Sequence, residues 1–243
     1  IGVAKAASTV EYGFLEHCLR EDLNETAQRT MAVLRPVKLT ITNYPEGQSE
    51  TVTVENNPLD PAAGTREITF SRNLYIESDD FLEAPVPKYK RLYPNGPECR
   101  LKGAYLIRCT GCVKDADGNV TEVLAEYDPE SRGGDPADGR KVKGATIHWV
   151  DAATAIDAEV RLYDNLFTDA DPDAADKNFL ECLNPDSLEI LTGCKVEPSM
   201  ADAAAPASFQ FMRLGYFCLD SKDSRPGHLV FNRSVSLKDS FKK

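Results

Sequence analysis

From Pro36 onward the apolar residues recur at every second position, and that period dictates a chain of β-strands. Val37, Leu39 and Ile41 alternate with polar neighbours, as do Val52 and Val54, Ile68 and Phe70, and Leu74 and Ile76. Successive strand side chains point to opposite faces, so alternation gives each strand one buried face and one wet face. Each run stops at Pro, Gly, Asn or Asp, the residues that turn a chain. The clearest hairpin is 103–127, where two alternating runs flank Asp115, Ala116, Asp117, Gly118 and Asn119. Asp followed by Gly supplies the positive φ of a tight hairpin turn. A stretch rich in Gly, Pro, Asp and Lys at 131–144 reads as a boundary loop. Further strands are predicted at 145–150, 158–164, 187–196, 208–219 and 228–237.

Before Pro36 the period is helical. Val10, Phe14, Cys18 and Leu19, with Leu15 and Leu23 beside them, form one apolar stripe, and Ser8 with Glu11 makes a capping box. These features predict a helix over 9–21 and a second short helix over 25–33, stopped by Pro36. The whole reads as a mainly β fold: two β-barrels preceded by a short α-helical segment. The chain opens on Ile1 with no initiator Met and looks like an excised piece of a longer protein.

Several kinds of chemistry are excluded or disfavoured. There is no Walker loop, no G-x-G-x-x-G, no H-E-x-x-H and no G-x-S-x-G, and the three histidines lie in different elements. Seven scattered cysteines in a long chain point to reduced thiols. Cys109 and Cys112 have C-x-x-C spacing, yet no second pair follows to complete a zinc site. Asp169, Asp171 and Asp173 resemble the start of a calcium loop, but Ala174 stands where the turn needs Gly and Leu180 where a bidentate Glu is needed. No apolar stretch is long enough to span a membrane and no secretion signal opens the chain, which points to the cytoplasm.

A formal net charge of −11 argues at first against nucleic acid. Its distribution argues otherwise. Residues 150–202 carry thirteen acidic against three basic groups, whereas 88–108 carry six basic groups against Glu98 alone, and 213–243 seven basic against three acidic. In the first basic segment Lys88, Lys90, Arg91, Arg100, Lys102 and Arg108 are interleaved with Tyr89, Tyr93 and Tyr105. Cations neutralise phosphate, while Tyr rings and Arg planes stack on unpaired bases, the chemistry by which single-stranded RNA is read.

Long blocks carry a resemblance. They include residues 18–25 (CLREDLNE), 28–34 (QRTMAVL), 89–92 (YKRL), 100–102 (RLK), 135–144 (DPADGRKVKG), 147–149 (IHW), 160–164 (VRLYD), 209–211 (FQF), 215–220 (GYFCLD) and 230–233 (VFNR). Together they resemble the glutaminyl-tRNA synthetases, class I aminoacyl-tRNA synthetases. The resemblance implies the C-terminal anticodon-binding region: the end of a helical subdomain over 1–35, a proximal barrel over 36–143 completed by 218–243, and a distal barrel over 144–217 inserted in it. It implies tRNA(Gln) as partner, with no DNA and no membrane, and a monomer. HIGH- and KMSKS-type motifs are absent, so the chain is expected to bind tRNA without charging it. ATP and Mg2+ belong to the intact enzyme, and the chain itself needs no cofactor. A glutamyl-tRNA synthetase of archaeal or eukaryotic type, a ribosomal RNA-binding barrel and a β-rich protein-interaction module are the competing readings.

The resemblance also assigns roles. Arg29 and Gln210 fall where the family reads the middle uracil, although Met212 replaces a family Glu two residues after that Gln, so the acceptor for uracil N–H must come from elsewhere or be lost. Arg29 has a second reading, as a tie between helix and barrel. Arg91 and Arg213 match positions near the third base, a guanine, whose O6 and N7 suit a guanidinium fork. Lys90 suits phosphate. Arg100 and Lys102 match the pocket of the first base, where Lys102 lacks the planar fork of the family's Arg. Lys88 replaces a Gln, Leu59 stands where a polar contact is expected, and Asn24 helps position the loop.

Overall fold

The computed structural model describes residues 5, 12–174 and 176–238. Helix α1 (Tyr12–Thr26) opens it, and Ser8 and Glu11 of the expected cap lie outside the described residues. Sixteen strands follow: β1 (Gln28–Thr30), β2 (Ala32–Val33), β3 (Pro36–Ile41), β4 (Ser49–Glu55), β5 (Thr65–Ser71), β6 (Asn73–Glu77), β7 (Cys99–Leu101), β8 (Leu106–Lys114), β9 (Val120–Tyr127), β10 (Thr146–Ile147), β11 (Val150–Asp151), β12 (Ile156–Tyr163), β13 (Leu188–Val196), β14 (Ser208–Phe211), β15 (Gly215–Leu219) and β16 (Leu229–Ser236). One sheet runs β10-β7-β8-β9-β3-β6-β11 and the other β1-β14-β15-β16-β12-β13-β2, with β4 and β5 as a separate hairpin.

In each sheet the two edge strands are consecutive pieces of one segment. Residues 28–33 pair parallel with β14 at one end and antiparallel with β13 at the other. Residues 146–151 do the same with β7 and β6. A single broken strand therefore curls each sheet onto itself, which removes the exposed edges that invite aggregation. The remaining five strands have the same order and sense in both barrels, including the parallel pairs β3–β9 and β12–β16. The closing strand comes last in the first barrel and first in the second, so the first barrel is inserted within the second.

This pairing corrects three expectations. Residues 25–33 are not a helix after α1: helical propensity yields to the open edges of β14 and β13, which satisfy the backbone of 28–33. Residues 218–243 do not complete the 36–143 barrel, because β16 pairs with β15 and β12 of the other sheet. The inserted barrel is accordingly 36–151, and the outer one draws on 28–33 and 156–236. The stretch 208–219 is two strands, because Arg213 at φ 69° turns the chain back. The hairpin at 106–127 forms as expected, with Gly118 at φ 87° and Asp115 accepting the N–H groups of Asp117 and Asn119.

Each barrel has its own core. The inner one centres on Phe70, whose ring meets Trp149 edge-on at 5.3 Å and Tyr44 at 5.3 Å. The outer one centres on Phe211, stacked on Phe217 at 4.2 Å and against Phe231 at 5.2 Å. Buried carboxylates pin the barrels together. Glu197, beyond β13, holds Arg66 of β5 through two bonds of 2.7 and 3.0 Å and also accepts Met31 N–H. Glu77, at the end of β6, accepts the N–H groups of Leu34 and Arg35, the link between the barrels, at 2.7 and 3.1 Å.

Candidate nucleic-acid interface

Three of the sequence-predicted residues meet where α1 crosses the outer barrel. In the β1–β14 register Arg29 sits opposite Gln210, and in the β14–β15 register Gln210 sits opposite Tyr216. Helix α1 packs Leu23 against Tyr216 and Val235, which places Asn24 at the same spot. Arg29 donates to Asn24 O at 2.9 Å, Ala27 O at 3.3 Å and Asn24 Oδ1 at 3.1 Å. Tyr216 donates to that same Oδ1 at 3.2 Å and accepts from Gln210 Nε2 at 2.8 Å. Asn24, Gln210 and Tyr216 line an open pocket of about 390 Å³, together with His17, Arg20, Glu21 and Leu237. Arg29 is only 6% exposed and lies behind that lining, in the tying position. Met212 points elsewhere, packed against the inner-barrel core.

Arg91 and Arg213 meet at the junction of the barrels, on either side of Asp80. That carboxylate is completely buried and takes a fork from Arg213, with both bonds at 2.7 Å, while Arg91 approaches to 3.3 Å. Arg213 Nη1 also stands 3.2 Å from His148 Nδ1. Burial works against the Arg213 charge, but the Asp80 partner outweighs it and holds the guanidinium more firmly protonated than usual. Arg91 donates to Asp79 O at 3.1 Å, and both arginines keep part of their side chain open to solvent, 40% for Arg91 and 28% for Arg213.

The other basic residues lie along one side of the inner barrel. Ala145 donates its N–H to Lys90 O and accepts from Arg100 N–H, which sets Lys90, Arg100 and the 141–145 segment side by side. Arg100 is held by Gly134 O at 2.8 Å and Asp135 at 3.3 Å. Lys88, Lys90 and Lys102 are exposed, and so are Lys141 and Lys143 of the 131–144 loop, which were not among the expected site residues. Their signal was the Arg140-Lys-Val-Lys143 run itself. Arg140 anchors the loop on Glu98, Asp128 and Asp138, the first of these by two bonds of 3.0 and 3.1 Å. Of the three tyrosines expected to offer stacking faces, Tyr105, just before β8, is buried in the core with its hydroxyl on Glu50. Tyr89 is half-buried and bonded to Asp79 O, and burial pushes its phenol up to about 12.

Cys109 is buried and Cys112 half-buried across a bulge in β8, and burial raises the Cys109 thiol to about 11, which suits an inert core sulfur. Lys177 closes the acidic loop by pairing with Asp169 at 2.8 Å and donating to Asp171 O. Among the described residues no group of three or more His, Cys, Asp or Glu is placed to hold a metal ion. No helix there is long and apolar enough to cross a membrane.

Residues 27–128 match the model of the class I tRNA synthetases (E and Q), anti-codon binding domain, and residues 146–220 match a second model of the same description. The glutamine–tRNA ligase of Bradyrhizobium diazoefficiens is 54% identical over 243 residues, 100% of this chain and 43% of that protein. Those of Clostridium kluyveri and Vibrio campbellii are 53% and 54% identical over the same span and shares. The chain belongs to the glutamine–tRNA ligase family. It spans less than half the length of these relatives. Within the glutamine–tRNA ligase family frame, the two matched anticodon-binding regions run from the outer barrel's closing strand to β9, and from β10 to β15. The pocket residues Gln210 and Tyr216 and the junction residues Asp80, Arg91 and Arg213 all fall inside these matches. Asp80 and Tyr216 escaped sequence reasoning because their partners are remote: Asp80 meets Arg213, and Tyr216 meets Asn24.

Proposed function

We propose that this chain binds tRNA(Gln) and reads its splayed anticodon, for the ATP-dependent attachment of glutamine by a glutamine–tRNA ligase. The observation that carries the reading is the open pocket of Asn24, Gln210 and Tyr216, about 390 Å³ in volume and lined by polar side chains, on a chain whose inner barrel exposes Lys88, Lys90, Lys102, Lys141 and Lys143. In this reading the pocket takes the middle base, with Arg29 backing it from inside. Arg91 reaches the third base, steadied with Arg213 by Asp80. Arg100 and Lys102 serve the first base, and Lys88, Lys90, Lys141 and Lys143 neutralise phosphates. The inner barrel acts as the distal unit and the outer barrel, with α1, as the proximal one. ATP and Mg2+ act elsewhere in the ligase, so the chain alone binds without charging, as a cytoplasmic monomer.

The test is a titration of the chain with glutamine tRNA, glutamate tRNA and 5S ribosomal RNA at two salt concentrations, with Arg91→Ala and Gln210→Ala alongside. Preference for glutamine tRNA and a loss of about 1–3 kcal/mol in each variant are expected, the size of one base-edge contact. Equal affinity for the three RNAs, or full affinity in both variants, refutes the reading.

A further inference from the structure

The hydrogen bonds around Tyr216 have a direction, and the direction decides which atoms face the pocket. Arginine only donates. Arg29 Nη2 donates to Asn24 at 3.1 Å, which fixes the receiving atom as Oδ1 and leaves Asn24 Nδ2 a donor. The Tyr216 hydroxyl lies 3.2 Å from that oxygen and gives it its single proton. With the proton committed, Tyr216 Oη accepts from Gln210 at 2.8 Å, so the amide turns Nε2 towards the tyrosine. Gln210 Oε1 and Asn24 Nδ2 have no partner among the described residues, and both side chains line the pocket.

We infer that Tyr216 is a positioning residue that sets base specificity: the relay Arg29–Asn24–Tyr216 locks the Gln210 amide with Oε1 facing the pocket as an acceptor beside Asn24 Nδ2, which selects uracil over cytosine. The inference rests on the anticodon-reading function above and names the acceptor that Met212 cannot supply. Uracil carries a proton on N3 beside carbonyl oxygens, so N3–H donates to Gln210 Oε1 and a carbonyl accepts from Asn24 Nδ2. Cytosine has a lone pair on N3 and an amino group at C4. It sets acceptor against acceptor and donor against donor, leaving polar groups on both sides unpaired.

The test uses the 243-residue chain and two anticodon stem-loop RNAs that differ only in a middle U or C, with affinities read by fluorescence anisotropy. The wild-type chain is expected to favour U by about tenfold or more, the discrimination of one base-edge contact. Tyr216→Phe keeps the ring against Leu23, Ala27 and Val235 but frees the amide to turn, and the preference is expected to fall to about twofold. Gln210→Glu, an acceptor in either orientation, keeps the preference for U, while Gln210→Ala loses it. A wild-type ratio in Tyr216→Phe, or no preference in Gln210→Glu, overturns the relay; if Tyr216→Phe does not fold, the two Gln210 variants decide. A wild-type chain that binds neither stem-loop removes the anticodon reading itself, and the relay with it.

Discussion

Replacing Glu77 by Gln changes one oxygen to an amide nitrogen at a site where every neighbour donates. Oε1 takes Leu34 N–H at 2.7 Å, with His148 Nε2 3.5 Å away, and Oε2 takes Arg35 N–H at 3.1 Å. The amide can accept on one side only, so one backbone N–H is left facing an NH2 group. Losing one bond to a charged acceptor, with a buried donor unpaired, costs about 2–3 kcal/mol. For a chain of this size that lowers Tm by about 4–12 °C at pH 7.

The same site predicts a pH dependence. Burial alone would raise the Glu77 carboxyl, but His148 and the Leu34 N–H outweigh it and hold the group below the ordinary glutamate value of 4.5. A carboxyl lowered on folding stabilises fully above its unfolded value, and that stability is lost as pH falls through the folded one. The gap between wild type and Glu77→Gln is therefore constant near neutrality and narrows as the solution is acidified below 4.5, where a protonated Glu77 comes to resemble Gln. Thermal unfolding followed by circular dichroism at stepped pH measures it. Equal stability at pH 7, or a gap that persists undiminished into acid, refutes the reasoning.

Two further substitutions probe the same assembly. Arg66→Met strands the buried Glu197 carboxylate and should cost about 3–5 kcal/mol in urea unfolding, most of it recovered when Glu197→Leu is added; an unshifted midpoint in the single variant would count against the clasp. Gly144→Ala puts a Cβ 2.1 Å from Glu98 O and 2.7 Å from Cys99 Sγ, so the 141–145 segment must lift from β7. A loss of about 1–3 kcal/mol is expected in thermal unfolding, and an unchanged Tm means the segment gives way freely.

The strands were legible wherever one face is wet. The alternation at 36–41, 52–54, 68–70 and 74–76 and the Asp-Gly turn at 115–119 each appear as read. Residues 28–33 were illegible because they are buried on both faces and so carry no alternation; only their remote partners Phe209–Phe211 and Lys195–Val196 decide that they are strands. The same remoteness misplaced β16. Of the site, basic residues and Gln210 were visible as residue types, and family resemblance supplied their roles. Arg29 looked like a reader and sits behind the pocket, while Tyr105 looked like a stacking platform and sits in the core. Side-chain type marks a candidate; the register of the strand decides which way it points.

The opposite placement of the two closing strands also orders events in time as the chain leaves the ribosome. Every strand of the inner barrel lies between Pro36 and Asp151, so that barrel can finish pairing as soon as it has emerged. The outer barrel cannot: Gln28, among its first residues to be made, waits for Phe209. Closing so long a loop is a slow, entropically opposed step for an unstructured chain. The finished inner barrel removes most of that burden. It delivers Val33 and Ile156 on either side of β13, paired with Lys195 and Val196, so the late strands assemble on ends already held together.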